Sequence, residues 1–256
     1  MKADNKIVLI TGATSGIGRA TAKKFAANGY NIIITGRRKE RLDLLTNELL
    51  VSGKTKVLSL NFDVRNHDEV RHSLGHLAPE WKNVDVLVNN AGLAVGMGHL
   101  DSGDVDDWER MIDTNIKGLL YVTRAISPNM VARNSGHIIN LASIAGKDAY
   151  ENGNVYCATK HAVDSLSRTM RIDFLKNNIK VTNIAPGMVE TEFSVVRFKG
   201  DTEKAKSFYN GIKPLTGEDI ADLIYYCASL PQHVCINDVV ITPTQQADAN
   251  HNYKLL

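Results

Sequence analysis

Tyr156 and Lys160 stand four residues apart in the run YCATK, a spacing that puts both on one face of a helix. A free tyrosine titrates near pH 10 (about 10 for the isolated side chain). A neighbouring ammonium favours the phenolate and lowers that value. The pair therefore reads as a general acid/base for work near neutral pH. Ser143 closes the short apolar run NLAS and offers a hydroxyl to an oxygen that gains or loses charge. Alone, the Tyr/Lys spacing also fits an amphipathic helix with an exposed lysine, so it needs company.

Company comes from the N-terminal end. A short apolar run leads into Thr11, Gly12, Ala13, Thr14, Ser15, Gly16, Ile17 and Gly18, and a helical pattern starts at once. Glycines there let the backbone turn sharply and approach a pyrophosphate. The helix start supplies unpaired N–H groups and the positive end of its dipole. The spacing is TGxxxGxG rather than GxGxxG. Between a first strand and a first helix it predicts a dinucleotide site. The second apolar run ends at Gly36 and is followed by Arg37 and Arg38, with no carboxylate before Glu40. An NAD site needs an acidic residue there for the ribose 2′-hydroxyl. Two guanidiniums suit a 2′-phosphate instead, which predicts NADP(H).

The elements that must position these residues follow from two alternating periods. Short β-branched runs at 6–10, 31–35, 56–60, 84–89, 137–141, 180–184 and 238–242 read as buried strands. Helical patterns lie between them at 16–28, 39–50, 66–77, 106–133, 155–176 and 217–229. This predicts one α/β domain over residues 1–256, a doubly wound Rossmann fold whose seven-stranded parallel sheet carries helices on both faces. Residues 187–215 break the alternation. They follow a strand's carboxyl end and are long for a connection, which predicts a substrate lid.

Composition narrows the classes. The 256 residues are 43% hydrophobic with a formal net charge of +2, too small to argue for nucleic acid or an anionic membrane. Cys157, Cys227 and Cys235 form no CxxC pair, which argues against a disulfide framework or zinc site. His72 and His76, with His67 nearby, have metal-ligand spacing but no converging cysteine, and read as a solvated helix face. No metal is expected. Cys157 points away from its neighbour Tyr156 and reads as packing, as do Trp81 and Trp108. No run of apolar residues is long enough to span a bilayer, and the N-terminus has no signal-peptide pattern, so a cytoplasmic location is expected.

Taken together, the chain resembles the short-chain dehydrogenase/reductase family. The likeness runs through Thr11–Gly18, Asp63 and Val64, the run NNAG at 89–92, Asn115 in DTNIKG, Ser143, Tyr156, Lys160 and the run from Pro186 to Thr191. The resemblance implies an NADP-dependent dehydrogenase/reductase with Tyr156 as proton donor or acceptor and Ser143 polarising the substrate. Lys160 would bind the nicotinamide ribose and lower the tyrosine pKa, and Asn115 would hold a water linking Lys160 to solvent. Asp63 and Val64 would lie on the adenine side. Asn89, Ala91 and Gly92 would contact the cofactor ribose region. Pro186, Gly187, Val189 and Thr191 would flank the nicotinamide. It also implies a homotetramer, in which the polar tail from Gln245 packs on a neighbouring subunit; read alone, that tail is a frayed terminus.

Within the family, the runs at 87–97, 108–118, 154–160 and 191–201 are similar to those of bacterial NADP-dependent 3-hydroxy acid (serine, allo-threonine, malonic semialdehyde) dehydrogenases. Arg197, inside the expected lid, gives a physical reason for an acid substrate: its guanidinium would meet a carboxylate as water leaves. The competing reading leaves Arg197 exposed on the surface or pairs it with Glu190, Glu192 or Asp201. Rival substrates are sulfoacetaldehyde or another small carbonyl and a 3-oxoacyl carrier protein. A non-catalytic NADP-binding regulator is disfavoured because Asn115, Ser143, Tyr156 and Lys160 are all present.

Overall fold

Ile7, Leu9, Ile33, Leu87 and Ile138 pack into one apolar cluster, while Val8, Ile10, Ile32, Ile34, Val86, Val88 and Ile139 pack into another. Successive residues thus leave the sheet on opposite faces, and both faces are covered, which is why the strands read as unbroken apolar runs. The computed structural model describes residues 6–51, 53 and 55–255. Its strands are β1 (Ile7–Ile10), β2 (Asn31–Gly36), β3 (Val57–Asn61), β4 (Val86–Asn89), β5 (Gly136–Leu141), β6 (Ile179–Pro186) and β7 (Asp238–Ile241). All pair in parallel, in the order β3-β2-β1-β4-β5-β6-β7.

Helices α1 (Gly16–Ala27), α2 (Lys39–Leu50) and α9 (Gly217–Ser229) cover one face, contributing Phe25, Leu45 and Ile224 among others. Helices α3 (His67–Gly75), α5 (Leu119–Arg133) and α6 (Asn154–Asp173) cover the other through Val70, Met130 and Met170. Strand order reverses between β1 and β4, and the carboxyl ends of those strands flank the resulting crevice. Trp81 packs beside the second cluster and Trp108 beside a third, made of Leu93, Val95, Met111, Tyr156 and Cys157.

The pattern at 106–133 predicts a single helix. The chain instead forms α4 (Val105–Ile112), a wide π turn at Asp113–Gly118, and then α5. The wide turn carries Asn115 inward, where its side-chain amide bonds both backbone groups of Leu93 at 2.9 Å. Such a turn leaves the apolar period of the flanking helices intact, so periodicity does not reveal it.

Residues 187–215 leave β6 and return through a parallel bridge between Val189 and Leu215. Between these points lie α7 (Phe193–Arg197) and α8 (Thr202–Ser207). The tail does not fray. Gln246 is 5% exposed, Gln246 and Asn252 pair as an antiparallel bridge, and the Leu255 amide bonds the Gly211 carbonyl at 2.8 Å. The tail thus packs on its own chain in this structure. Among the described residues no helix is long and apolar enough to cross a membrane.

Candidate active site

The loop after β1 is shaped by two backbone conformations that other residues adopt poorly. Gly12 has φ +66° and Gly16 has φ +50°. A Cβ at Gly12 would fall 2.9 Å from Ala91 Cα, so the loop lies directly on the segment after β4. Ser15 takes the N-cap position of α1 but its side chain makes no capping bond. Its hydroxyl accepts from Arg38 at 2.9 Å instead, leaving the helix start open to an anion.

Arg38 spans the loop. Its guanidinium donates to Thr14 Oγ1 at 2.6 and 3.1 Å and to Glu192 at 2.9 Å. It also stands at the N-cap of α2, where positive charge is unfavourable unless an anion is near. Glu192 is such an anion, and Arg41 bonds it as well, at 2.5 and 2.7 Å. Burial pushes the Glu192 carboxyl up, but the bonds from Arg38 and Arg41 outweigh it and its pKa lies below the usual carboxylate range. Arg37 lies 3.7 Å from Asp63, whose carboxylate also takes two bonds from Arg65 at 2.7 and 2.9 Å.

Deeper in the crevice, Ser143 follows β5 and its hydroxyl accepts from the Ala145 amide at 3.1 Å. It donates to the Pro186 carbonyl at 3.4 Å, and Tyr156, from the first turn of α6, stands near enough for Ser143 to favour its phenolate. Lys160 lies one turn further along, its Nζ donating to the Leu141 carbonyl at 2.8 Å and lying 5.9 Å from the Tyr156 ring centre. Burial lowers the Lys160 pKa to about 8. Burial also raises the Tyr156 phenol well above its ordinary value, outweighing the downward pulls of the Ser143 bond and the Arg197 charge. The resemblance gave Lys160 the task of lowering the tyrosine pKa. In this structure its Nζ is engaged by the Leu141 carbonyl.

Arg197 comes from α7 and is 9% exposed. Its guanidinium sits over the rings of Tyr150, Tyr156 and Phe208, at 5.3, 5.6 and 5.9 Å. It donates to the Tyr150 hydroxyl at 2.5 Å, and its Nε has no partner. No carboxylate among the described residues pairs with it. Glu192 is taken by Arg38 and Arg41, and Asp201 caps α8 by accepting from the Lys204 amide at 2.9 Å.

All but three of the residues to which the sequence assigns a catalytic, cofactor-binding or substrate-binding role line one cleft of about 500 Å³. The exceptions are Gly18, Asn89 and Asn115. Gly18 is a packing position: a Cβ there would meet the Gly12 carbonyl and Asn90 Nδ2, each at 2.5 Å. Asn89 turns beneath the site and donates to Thr123 and Asn140 at 2.9 Å. Its neighbour Asn90 lines the cleft instead, because successive strand residues face opposite ways. The Asn115 amide is engaged by Leu93 and Thr159 behind the cleft wall. It remains next to the lysine, since a Cβ on Gly92 would lie 3.2 Å from Asn115 Oδ1 and 3.5 Å from Lys160 Nζ.

The sequence reading did not single out Tyr150, Phe193, Arg41 or Gln246. Tyr150 precedes α6 in a turn, where no period marks a functional face. Phe193 packs its ring 5.8 Å from that of Tyr156. Gln246 Oε1 accepts from the Met188 amide at 2.8 Å and so ties the tail to the segment after β6. His72 and His76 lie ring to ring at 5.5 Å on α3, and no group of three or more metal-ligand residues occurs among the described residues.

The short chain dehydrogenase family matches residues 6–201. The chain is 49% identical over 244 residues to the NADP-dependent 3-hydroxy acid dehydrogenase YdfG of Salmonella typhi, covering 95% of this chain and 97% of that one. It is 45% identical to sulfoacetaldehyde reductase 2 of Chromohalobacter salexigens, over 94% of this chain and 95% of the relative. Among solved structures it is similar to the closed form of serine dehydrogenase complexed with NADP+, with a TM-score of 0.91, 47% identity and coverage of 98% and 100%.

Proposed function

From the premise that this chain belongs to the short chain dehydrogenase family, we propose that it is an NADP(H)-dependent oxidoreductase interconverting a small 3-hydroxy acid and the corresponding carbonyl acid. The cleft suits the dinucleotide. A glycine-lined turn meets an uncapped helix start, and two guanidiniums already gather an anion at the end of β2. Thr14, Ser15, Gly16 and Ile17 would hold the pyrophosphate, with Arg37 and Arg38 on the 2′-phosphate, Asp63 and Val64 by the adenine, and Ala91 and Gly92 by the ribose. Pro186, Gly187, Val189 and Thr191 would flank the nicotinamide. When bound, NADP(H) supplies or takes the hydride.

The protein's own groups do the rest. Ser143 donates to the substrate oxygen and fixes its place beside Tyr156. Tyr156 gives its phenolic proton to that oxygen in reduction and accepts it in oxidation. Lys160 holds its ammonium near the tyrosine, anchored by the Leu141 carbonyl. Asn115 fixes the 91–93 segment against Thr159 and so sets the wall beside Lys160. Residues 187–215 act as the lid and exclude water.

The observation that carries the acid substrate is Arg197: a nine-tenths buried guanidinium with no carboxylate partner among the described residues, lying over the catalytic tyrosine. A buried charge without a counterion is costly, and an incoming carboxylate removes that cost while gaining up to two charge-assisted bonds. The same guanidinium would accept a sulfonate, and the 45% identical sulfoacetaldehyde reductase favours that as the second reading. By family likeness we also take the working form to be a cytoplasmic homotetramer, which light scattering would check. The test of function is NADP+ reduction with L-serine, L-allo-threonine, 3-hydroxyisobutyrate and 3-hydroxypropionate, alongside NAD+ and a Tyr156→Phe variant. Tyr156-dependent turnover that prefers NADP+ is expected. Absence of turnover on every acid and on malonic semialdehyde, with reduction of sulfoacetaldehyde, would replace the first reading by the second.

A further inference from the structure

Two guanidiniums from α2 and its N-cap converge on one carboxylate of the lid. Arg38 and Arg41 are three residues apart and share a face of the helix start. Both bond Glu192, at 2.9 Å from Arg38 and 2.5 and 2.7 Å from Arg41. Arg38 is meanwhile held in place by Thr14 and Ser15, the hydroxyls of the phosphate loop. The carboxylate therefore marks an anion position beside the loop and at the end of β2, where the fold reads the ribose 2′ substituent.

We propose that Arg41 is a cofactor-specificity residue that holds the 2′-phosphate together with Arg38, and that Glu192 occupies their shared anion position when the phosphate is absent. This rests on the reading that the cofactor is NADP(H). Magnitudes favour exchange over coexistence. The side chains of Arg38, Arg41 and Glu192 are 42%, 43% and 46% exposed, so solvent screens each ion pair and leaves it weak. A phosphate brings close to two negative charges and three acceptor oxygens to the same guanidiniums. A carboxylate left beside it would be repelled. NAD(H) lacks the group that displaces Glu192, so the acidic lid residue adds to discrimination against it.

The test is calorimetric binding of 2′,5′-ADP and of ADP to the full chain, with no turnover involved. The native chain should prefer 2′,5′-ADP. Arg41→Ala should weaken 2′,5′-ADP about tenfold and leave ADP within about twofold, the size expected for one charge-assisted contact. Glu192→Gln should tighten 2′,5′-ADP about threefold by removing the competing charge, again sparing ADP. Equal losses for both ligands in Arg41→Ala, or weaker 2′,5′-ADP binding in Glu192→Gln, would overturn the proposal. A native chain that binds both ligands alike would overturn the NADP(H) reading and this proposal together. A native preference that survives Arg41→Ala in full would overturn this proposal alone.

Discussion

Lys160 shows what the site costs the fold. The residue is 6% exposed, and burial lowers its pKa from 10.5 to about 8. Between those values the unfolded chain binds the proton more tightly than the folded one. The penalty is therefore complete below about pH 8 and disappears as pH rises towards 10.5. At neutral pH it is on the order of 3 kcal/mol. Lys160→Met should therefore melt a few degrees higher than the native chain at pH 7, despite losing the bond to the Leu141 carbonyl. The gap should narrow at pH 9 to 10, while turnover is lost throughout. A variant that melts lower at every pH would show that the lysine supports the fold instead.

The 187–215 segment is held at both ends of α7. Glu192 bonds Arg38 and Arg41 on the phosphate-loop side, and Lys199 reaches Asp107 at 2.6 Å and Asp104 at 3.1 Å on the other. The Asp107 side chain is only 7% exposed, and its other cation, Arg110, is 3.4 Å away. Lys199→Met should leave that carboxylate underpaired and loosen α7. Substrate KM should rise severalfold and proteolysis near residues 196–204 should speed up, with cofactor affinity unchanged. Unaltered proteolysis and KM would mean that this end of the segment is held by packing alone.

The strands and the outer helices follow from hydrophobic period, because burial on both faces of a parallel sheet leaves that signature directly. Tyr156 and Lys160 were readable for a similar reason: one helix face carries both. Asn115 could be named by motif but not placed, because the wide turn that aims it sits inside an unbroken helical pattern. Asn89 and Asn90 show the limit for loops. A motif names the pair, and only the pleat decides which side chain reaches the cleft. Arg197 was visible as a charge in a long connection, whereas its lack of a partner depends on Glu192 being drawn to α2, about 150 residues away in sequence.

Across the whole molecule, chain segments far apart in sequence close over one crevice. The loop after β1, the segments after β4 and β5, the 187–215 segment and the C-terminal tail all line it. The tail enters through Gln246, which accepts from the Met188 amide and fills the space above Gly187, where a Cβ would lie 2.2 Å from its Oε1. Gln246→Leu should leave the half-buried Met188 amide without its side-chain acceptor. Hydrogen exchange in the 187–191 peptide should then quicken about tenfold or more, the equivalent of roughly 1.4 kcal/mol. Unchanged exchange there would show that the tail covers the site without organising it.

If Arg197 selects an anionic substrate, the enzyme's choice between two aldehydes must depend on it. The kcat/KM values for malonic semialdehyde and for an uncharged aldehyde of equal length should be measured with native enzyme and with Arg197→Met. Loss of a buried charge partner should lower the value for the acid by about 30-fold to several thousand-fold, corresponding to roughly 2–5 kcal/mol. The neutral aldehyde should change little, so the preference for the acid should collapse. A variant that keeps its preference for the acid, or that loses both substrates equally, would show that Arg197 does not select the anion.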